Sequence, residues 1–224
     1  MSKVYAGHMS ILEHGTIYLD IPEKNTIIAD FFIINNYSTV NHVGEHYYIT
    51  THMRVIIENQ MQCALAFQCD LGIFHTPRIT ISIITDIAVA REFNRHRVQS
   101  LSEESTRYCN YRKDKFGNEL AFIRPAWMKD ATDVDLENWK KVKRVYEEIE
   151  EVYAELVKTW TPQQARRILP LGLKVQTVHT ATLSEWNDFL EKRFHQKTGK
   201  VDPNMLEVAT EINELLKPIA NCWH

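Results

Sequence analysis

Between Leu136 and Trp160 the apolar residues Trp139, Val142, Tyr146, Ile149, Tyr153, Leu156 and Trp160 recur at three- and four-residue intervals. That is the period of a long helix with one apolar face, and such a face must be covered by other elements or by another subunit. An aromatic stripe at this spacing is far more often core or subunit contact than a cofactor cradle, so it carries no site role here. Thr161-Pro162-Gln163-Gln164 follows as a capping box with proline at the first helical position, so a second helix starts at once and runs to about Pro170. Two more helices are predicted, from about Leu183 to His195 and from Pro203 to Leu216.

The first half of the chain has a different period. Ile17, Leu19 and Ile21 alternate with Thr16, Tyr18 and Asp20, which marks a half-buried strand closed by Pro22. Ile79, Ile81 and Ile83 alternate with Thr80 and Ser82 in the same way. The apolar run Thr26 to Ile34 is predicted as a further strand ending in the turn Asn35-Asn36-Tyr37-Ser38. Tyr48 to Cys69 does not alternate cleanly and is predicted to turn helical. Asp86 is placed to cap a helix through Val89, Ala90 and Phe93 toward Arg97. The expected class is α+β, an antiparallel sheet from the N-terminal half packed with long helices from the C-terminal half.

Bulk properties narrow the function. The formal net charge is −3, so no overall basic field favours nucleic acid and any anion site must be local. Cys63, Cys69, Cys109 and Cys222 show no metal-type spacing, and no metal is expected. The N-terminus lacks the apolar core of a signal peptide and no apolar stretch reaches membrane-spanning length, so a cytoplasmic protein with free thiols is expected.

The chemistry concentrates between Arg95 and Tyr108. Arg95, His96, Arg97 and Arg107 are interleaved with Ser105, Thr106, Glu103 and Glu104. Guanidinium groups hold phosphates and carbonyls through a planar fork of donors. Composition alone leaves two readings open, an anion site and a solvated basic helix face paired with nearby glutamates.

The order of motifs resembles the flavin-dependent thymidylate synthases. Their signature is Arg-His-Arg, seven variable residues and Ser, matched here by Arg95, His96, Arg97 and Ser105, followed by the Arg-Tyr pair Arg107 and Tyr108. Gly7-His8-Met9-Ser10 with Glu13-His14 is similar to a second family stretch, Ala165-Arg166 to Leu169-Pro170 to a third, and Trp186 to Arg193 to a fourth. The resemblance covers about Gly7 to Leu215. It implies a single domain over residues 1–224 that methylates dUMP to dTMP, with methylenetetrahydrofolate as carbon donor and reduced FAD, recharged by NADPH, as hydride source. It also implies a homotetramer with sites at subunit interfaces.

By resemblance, Arg95 and Arg166 hold the dUMP phosphate, while Arg107 and Arg193 bond the uracil carbonyls. Ser105 positions the nucleotide, with Thr106 and Tyr108 beside it, and Glu103 meets the ribose or a bound water. Ser105 and Arg193 are the expected catalytic pair. Flavin contacts fall to His8, Ser10, His96 and Arg97, with Arg95 and Glu103 shared between both ligands. Ordinary thymidylate synthases use a cysteine in a Pro-Cys-His context, and none of the four cysteines sits in one.

Four departures stand out. Glu92 replaces a phosphate-binding glutamine, so its carboxylate repels phosphate unless paired with Arg95 or Arg166. Thr182 and Ser184 replace an asparagine and an arginine that face the flavin. The family's histidine beyond Arg193 is not matched, and Asp202 falls in that region. About residues 23–76 form an inserted segment. Thr182, Ser184 and the missing histidine support a rival reading, a nucleotide-binding relative without flavin chemistry. Two others are a nucleic-acid protein using Arg95, Arg97, Arg107 and Arg112 as a basic stripe, and a zinc protein in which His42 and His46 share a helix face.

Overall fold

The structure, a computed structural model, describes residues 9–220. Two antiparallel sheets lie in succession along the chain. The first has strand order β2-β3-β1-β4, with β1 Thr16–Pro22, β2 Thr39–Val43, β3 His46–His52 and β4 Gln68–Cys69. Val43 pairs with His46, leaving Gly44 and Glu45 as a two-residue hairpin turn, and Gly44 takes the positive φ of 61° that such a turn asks for. The alternation predicted for β1 is observed: Ile17, Leu19 and Ile21 are buried and Thr16, Tyr18 and Asp20 are not.

The segment predicted as a second strand is instead the helix α1, Thr26–Ile34. A run with no polar alternation fits either period, and packing decided between them. Ala29 and Phe32, three residues apart, bury against the first sheet, while Ile27 and Ile34 remain exposed. The helix predicted over Tyr48 to Cys69 is also corrected. Its first residues belong to β3, only Met53–Glu58 forms a helix (α2), and a 3-10 turn, Gln62–Phe67, leads into β4. The last four residues of β3 are all buried, so that strand shows no alternation to read.

The second sheet has the order β5-β7-β6, with β5 Arg78–Asp86, β6 Ser100–Glu103 and β7 Lys174–Thr182. Its central strand, β7, was not predicted. Several of its buried positions are polar (Thr177, His179, Thr180 and Thr182), so hydrophobic periodicity misses it. Three helices cover this sheet: α3 Ile87–Phe93, α6 Leu183–Arg193 and α7 Pro203–Ala220. Their shared core includes Ile81, Ile83, Phe93, Trp186, Phe189 and Met205, and the Trp186 indole donates to the Ile79 carbonyl at 3.1 Å. The predicted long helix is α4, Asp133–Leu156, capped by a Thr132–Asp135 box. Its stripe covers a third cluster around Tyr111, Leu120, Tyr153 and Leu173. The predicted capping box at Thr161 is present, but α5 spans only Pro162–Ala165 before a 3-10 turn, Arg166–Ile168. The α+β class stands, with the strands divided between two sheets and one of them supplied by the second half.

Candidate active site

Asp86 caps α3 as predicted, accepting from the Val89 amide at 2.8 Å. The helix ends at Phe93, so Arg95, His96 and Arg97 occupy the turn beyond it and not the helix itself. In that turn His96 points inward, with its ring 4.9 Å from the Phe189 ring, while Arg95 and Arg97 are exposed. Neither exposed guanidinium makes a hydrogen bond or ion pair among the described residues. Arg193, in the last turn of α6, is held in place by two partners. Its Nε donates to His96 Nε2 at 3.2 Å, and its Nη1 lies 3.2 Å from the Glu92 carboxylate. Burial, and next the Arg193 charge, pushes the His96 pKa down to about 4. The ring is therefore neutral at ordinary pH and free to accept from Arg193. Glu92 is neutralised by Arg193, not by the expected Arg95 or Arg166.

The second half of the signature forms a separate turn after β6. The Ser105 carbonyl accepts from the amides of Tyr108 and Cys109, and the Ser105 hydroxyl accepts from the Arg107 amide at 3.3 Å. Arg107 lies over the Tyr108 ring at 5.1 Å and donates to Gln163 of α5 at 2.6 Å. Arg166, at the C-terminal end of α5, is exposed and without a side-chain partner among the described residues. Thr106 is half-buried in the same turn as Ser105. Glu103 accepts from Asn94 at 2.8 Å, tying the strand between the two turns to the end of α3. One chain thus presents two basic groups: Arg95, Arg97 and Arg193 at one turn, Arg107 and Arg166 at the other. Among the described residues no hydrogen bond or ion pair joins Arg95 to Arg166, or Arg107 to Arg193.

Other expected contributors divide. His8 lies outside the described residues. Ser10 sits half-buried on the 3-10 turn Met9–Glu13, which packs on β6. Thr182 caps α6 in a box with Glu185, and Ser184 is exposed in the first turn of that helix. Asp202 accepts from the amides of Asn204 and Met205 at the start of α7, an N-terminal capping role. His42 and His46 lie on adjacent strands, not on one helix face; His42 stacks on Tyr47 and His46 bonds Asp20.

Sequence reasoning missed a set of groups between the two sheets. His14 joins Thr180 at 2.8 Å and Ser102 at 2.9 Å. The Arg78 guanidinium donates to Ser100 at 2.7 Å and to the Glu13 carbonyl at 3.0 Å. Only the place of Glu13-His14 in the second family stretch hinted at them. A cleft of about 230 Å³ opens there, with Arg97, Val98, Thr182 and Glu185 along one side. An unpartnered, exposed guanidinium at a polar cleft suits the phosphates of a dinucleotide, so these residues fit a flavin cofactor on this side.

A family profile described as thymidylate synthase complementing protein matches residues 40–220. No curated protein matches the chain. The matched span takes in the Arg95–Arg97 turn, the Ser105–Tyr108 turn, Arg166 and Arg193 together, and the chain belongs to the thymidylate synthase complementing protein family, the flavin-dependent thymidylate synthases.

Proposed function

We propose that the protein methylates dUMP to dTMP, taking the carbon from methylenetetrahydrofolate and the hydride from a reduced FAD recharged by NADPH. The observation that carries this reading is the turn that displays Arg95 and Arg97 without partners among the described residues while holding Arg193 against His96 and Glu92. Exposed guanidiniums of this kind are ready for an anion.

Arg95 and Arg166 bind the dUMP phosphate. Arg107 and Arg193 donate to the uracil carbonyls and stabilise the negative charge that grows as carbon 5 becomes nucleophilic. Ser105, flanked by Thr106 and Tyr108, positions the nucleotide, and Glu103 accepts from the ribose. When bound, the reduced flavin supplies the one-carbon transfer and the reduction to methyl. His8, Ser10, His96 and Arg97 orient it, with Arg95 and Glu103 at the boundary between the two ligands. The two basic groups of one chain are complementary halves, and a homotetramer with sites between subunits brings them together. The chain acts as a single synthase domain with an inserted segment over about residues 23–76, in the cytoplasm.

The capping role of Thr182 and the Glu92–Arg193 pair favour one second reading, a dUMP-binding relative without flavin turnover. Tritium release from dUMP labelled at carbon 5, with FAD, NADPH and methylenetetrahydrofolate each omitted in turn, separates the two. Release that needs all three, with dTMP formed, supports the synthase. A folded protein that binds dUMP and releases nothing is the non-catalytic relative.

A further inference from the structure

Two buried polar atoms face the cleft between the sheets with nothing to bond. The Thr50 hydroxyl, on β3 of the first sheet, has no partner among the described residues, and neither has the amide nitrogen of Gln99, just before β6. Thr50 is 2% exposed and Gln99 8% exposed. A buried polar group left unbonded costs free energy, and such orphans mark sites where a ligand or water completes the set. The Gln99 amide is oriented by its other end, where Oε1 accepts from His179 Nδ1 at 3.0 Å. The NH2 group is thereby left without an acceptor.

Two guanidiniums, Arg78 and Arg97, and two carboxylates, Glu13 and Glu185, line this cleft. Arg78 is mostly buried and lies within salt-bridge distance of no carboxylate among the described residues; its donors go to a carbonyl and two hydroxyls. Of the two carboxylates one is paired with a cation, and the other is a helix-capping acceptor that keeps its charge near Arg78. Glu13 pairs with Arg54 at 2.5 Å, and Glu185 accepts from the Thr182 amide at 2.7 Å. Burial, and next the Arg78 charge, pushes the pKa of neighbouring His52 down to about 4. A largely buried guanidinium, an exposed one at Arg97, an amide NH2 and a hydroxyl thus belong to residues that line one cleft.

We infer that Thr50, Gln99 and Arg78 form a subsite for the pyrophosphate of the flavin dinucleotide, so that the first sheet supplies one wall of the cofactor site. This rests on the cofactor reading above. It gives the inserted segment a binding role that the signature motifs do not assign to it.

The test is binding of FAD, followed by flavin fluorescence, and of ADP-ribose, which keeps the pyrophosphate but lacks the isoalloxazine ring. Both are titrated into the full chain and into Thr50→Val and Gln99→Leu. Thr50→Val removes its orphan at near-constant shape, whereas Gln99→Leu also takes the acceptor from His179 Nδ1. Without ligand Thr50→Val therefore melts at the same temperature or a few degrees higher, and Gln99→Leu a few degrees lower. Each binds FAD and ADP-ribose about tenfold more weakly, while riboflavin, which carries no phosphate, binds wild type and variants alike. Unchanged affinity of the variants for FAD and ADP-ribose overturns the subsite and leaves the cofactor reading standing. ADP-ribose binding that the variants lose, in a wild-type protein that takes no FAD, keeps the subsite and sinks the cofactor reading. A wild-type chain that binds neither overturns both.

Discussion

Glu92 sets the state of Arg193 through one contact. Its carboxylate draws Arg193, whose Nε also donates to His96, so a side chain expected at the uracil is held by two protein groups. The pair is partly exposed and modest in strength, which leaves Arg193 able to exchange partners when substrate arrives. Glu92→Gln removes a negative charge from the proposed phosphate site and releases the guanidinium. Calorimetric titration with dUMP is expected to show affinity about three- to tenfold tighter in this variant. Equal affinity in the two proteins would place Glu92 outside the phosphate's reach. Arg193→Ala is expected to lower turnover on the order of 10²-fold or more, as loss of a charged transition-state contact does. Full turnover would remove Arg193 from the chemistry. The identities at these positions were legible in the sequence, but the choice of Arg193 as Glu92's partner was not, because it depends on how α6 lies beside α3.

At the scale of elements, α4 shows how a stripe finds its cover. Tyr146 stacks on Phe122 with centroids 4.1 Å apart and meets Trp139 edge-on, which confines its ring. Gly172, one residue before the Phe122–Leu173 bridge, lies directly under that ring's hydroxyl, so any Cβ there collides with it. Gly172→Ala is expected to cost about 1–3 kcal/mol in urea denaturation, as overpacking does. Adding Tyr146→Phe should recover much of the loss, whereas no recovery would locate the strain in the backbone. Elements with caps and long periods, such as α4, α6 and α7, were legible with boundaries off by a few residues. Other elements were not legible, among them α1, where a continuous apolar run suits either period, β3, whose second half is buried throughout, and β7, where polar residues occupy the buried face.

At the scale of the whole molecule, three partly or fully buried histidines shape the response to acid. His52, His96 and His179 have pKa values pushed down from 6.5 to about 4, in each case chiefly by burial. Below pH 6.5 the folded state therefore binds fewer protons than the unfolded chain, whose histidines keep their ordinary value. Their contribution to stability is fully present above pH 6.5 and is lost as the pH falls from there through about 4. Asp86, raised by burial, works in the opposite direction, but it is one group against three. The urea midpoint is expected to hold steady from about pH 8 to 7 and to fall steeply between about pH 6.5 and 4. A midpoint that stays level to about pH 4.5 would mean these histidines protonate without cost in the folded state. The two sheets are joined through Arg78, whose Nη1 donates to Thr16 and whose backbone amide donates to the Tyr18 hydroxyl, contacts that no local pattern announces.

The sequence by itself determined the α+β class, the long helix with its caps, the strands with clean alternation, and the membership carried by Arg95 to Tyr108. Each of these is a local property, written in side-chain period, capping chemistry or an ordered motif. Tertiary structure alone decided the division into two sheets, the helical state of Thr26–Ile34 and the central place of β7. It also decided that Arg193 meets Glu92 and His96, and that Thr50 and Gln99 face one cleft from different sheets. Those outcomes join residues far apart in the chain. They follow from which surfaces are buried together, and that free energy belongs to the packed assembly of elements and to no single segment of it.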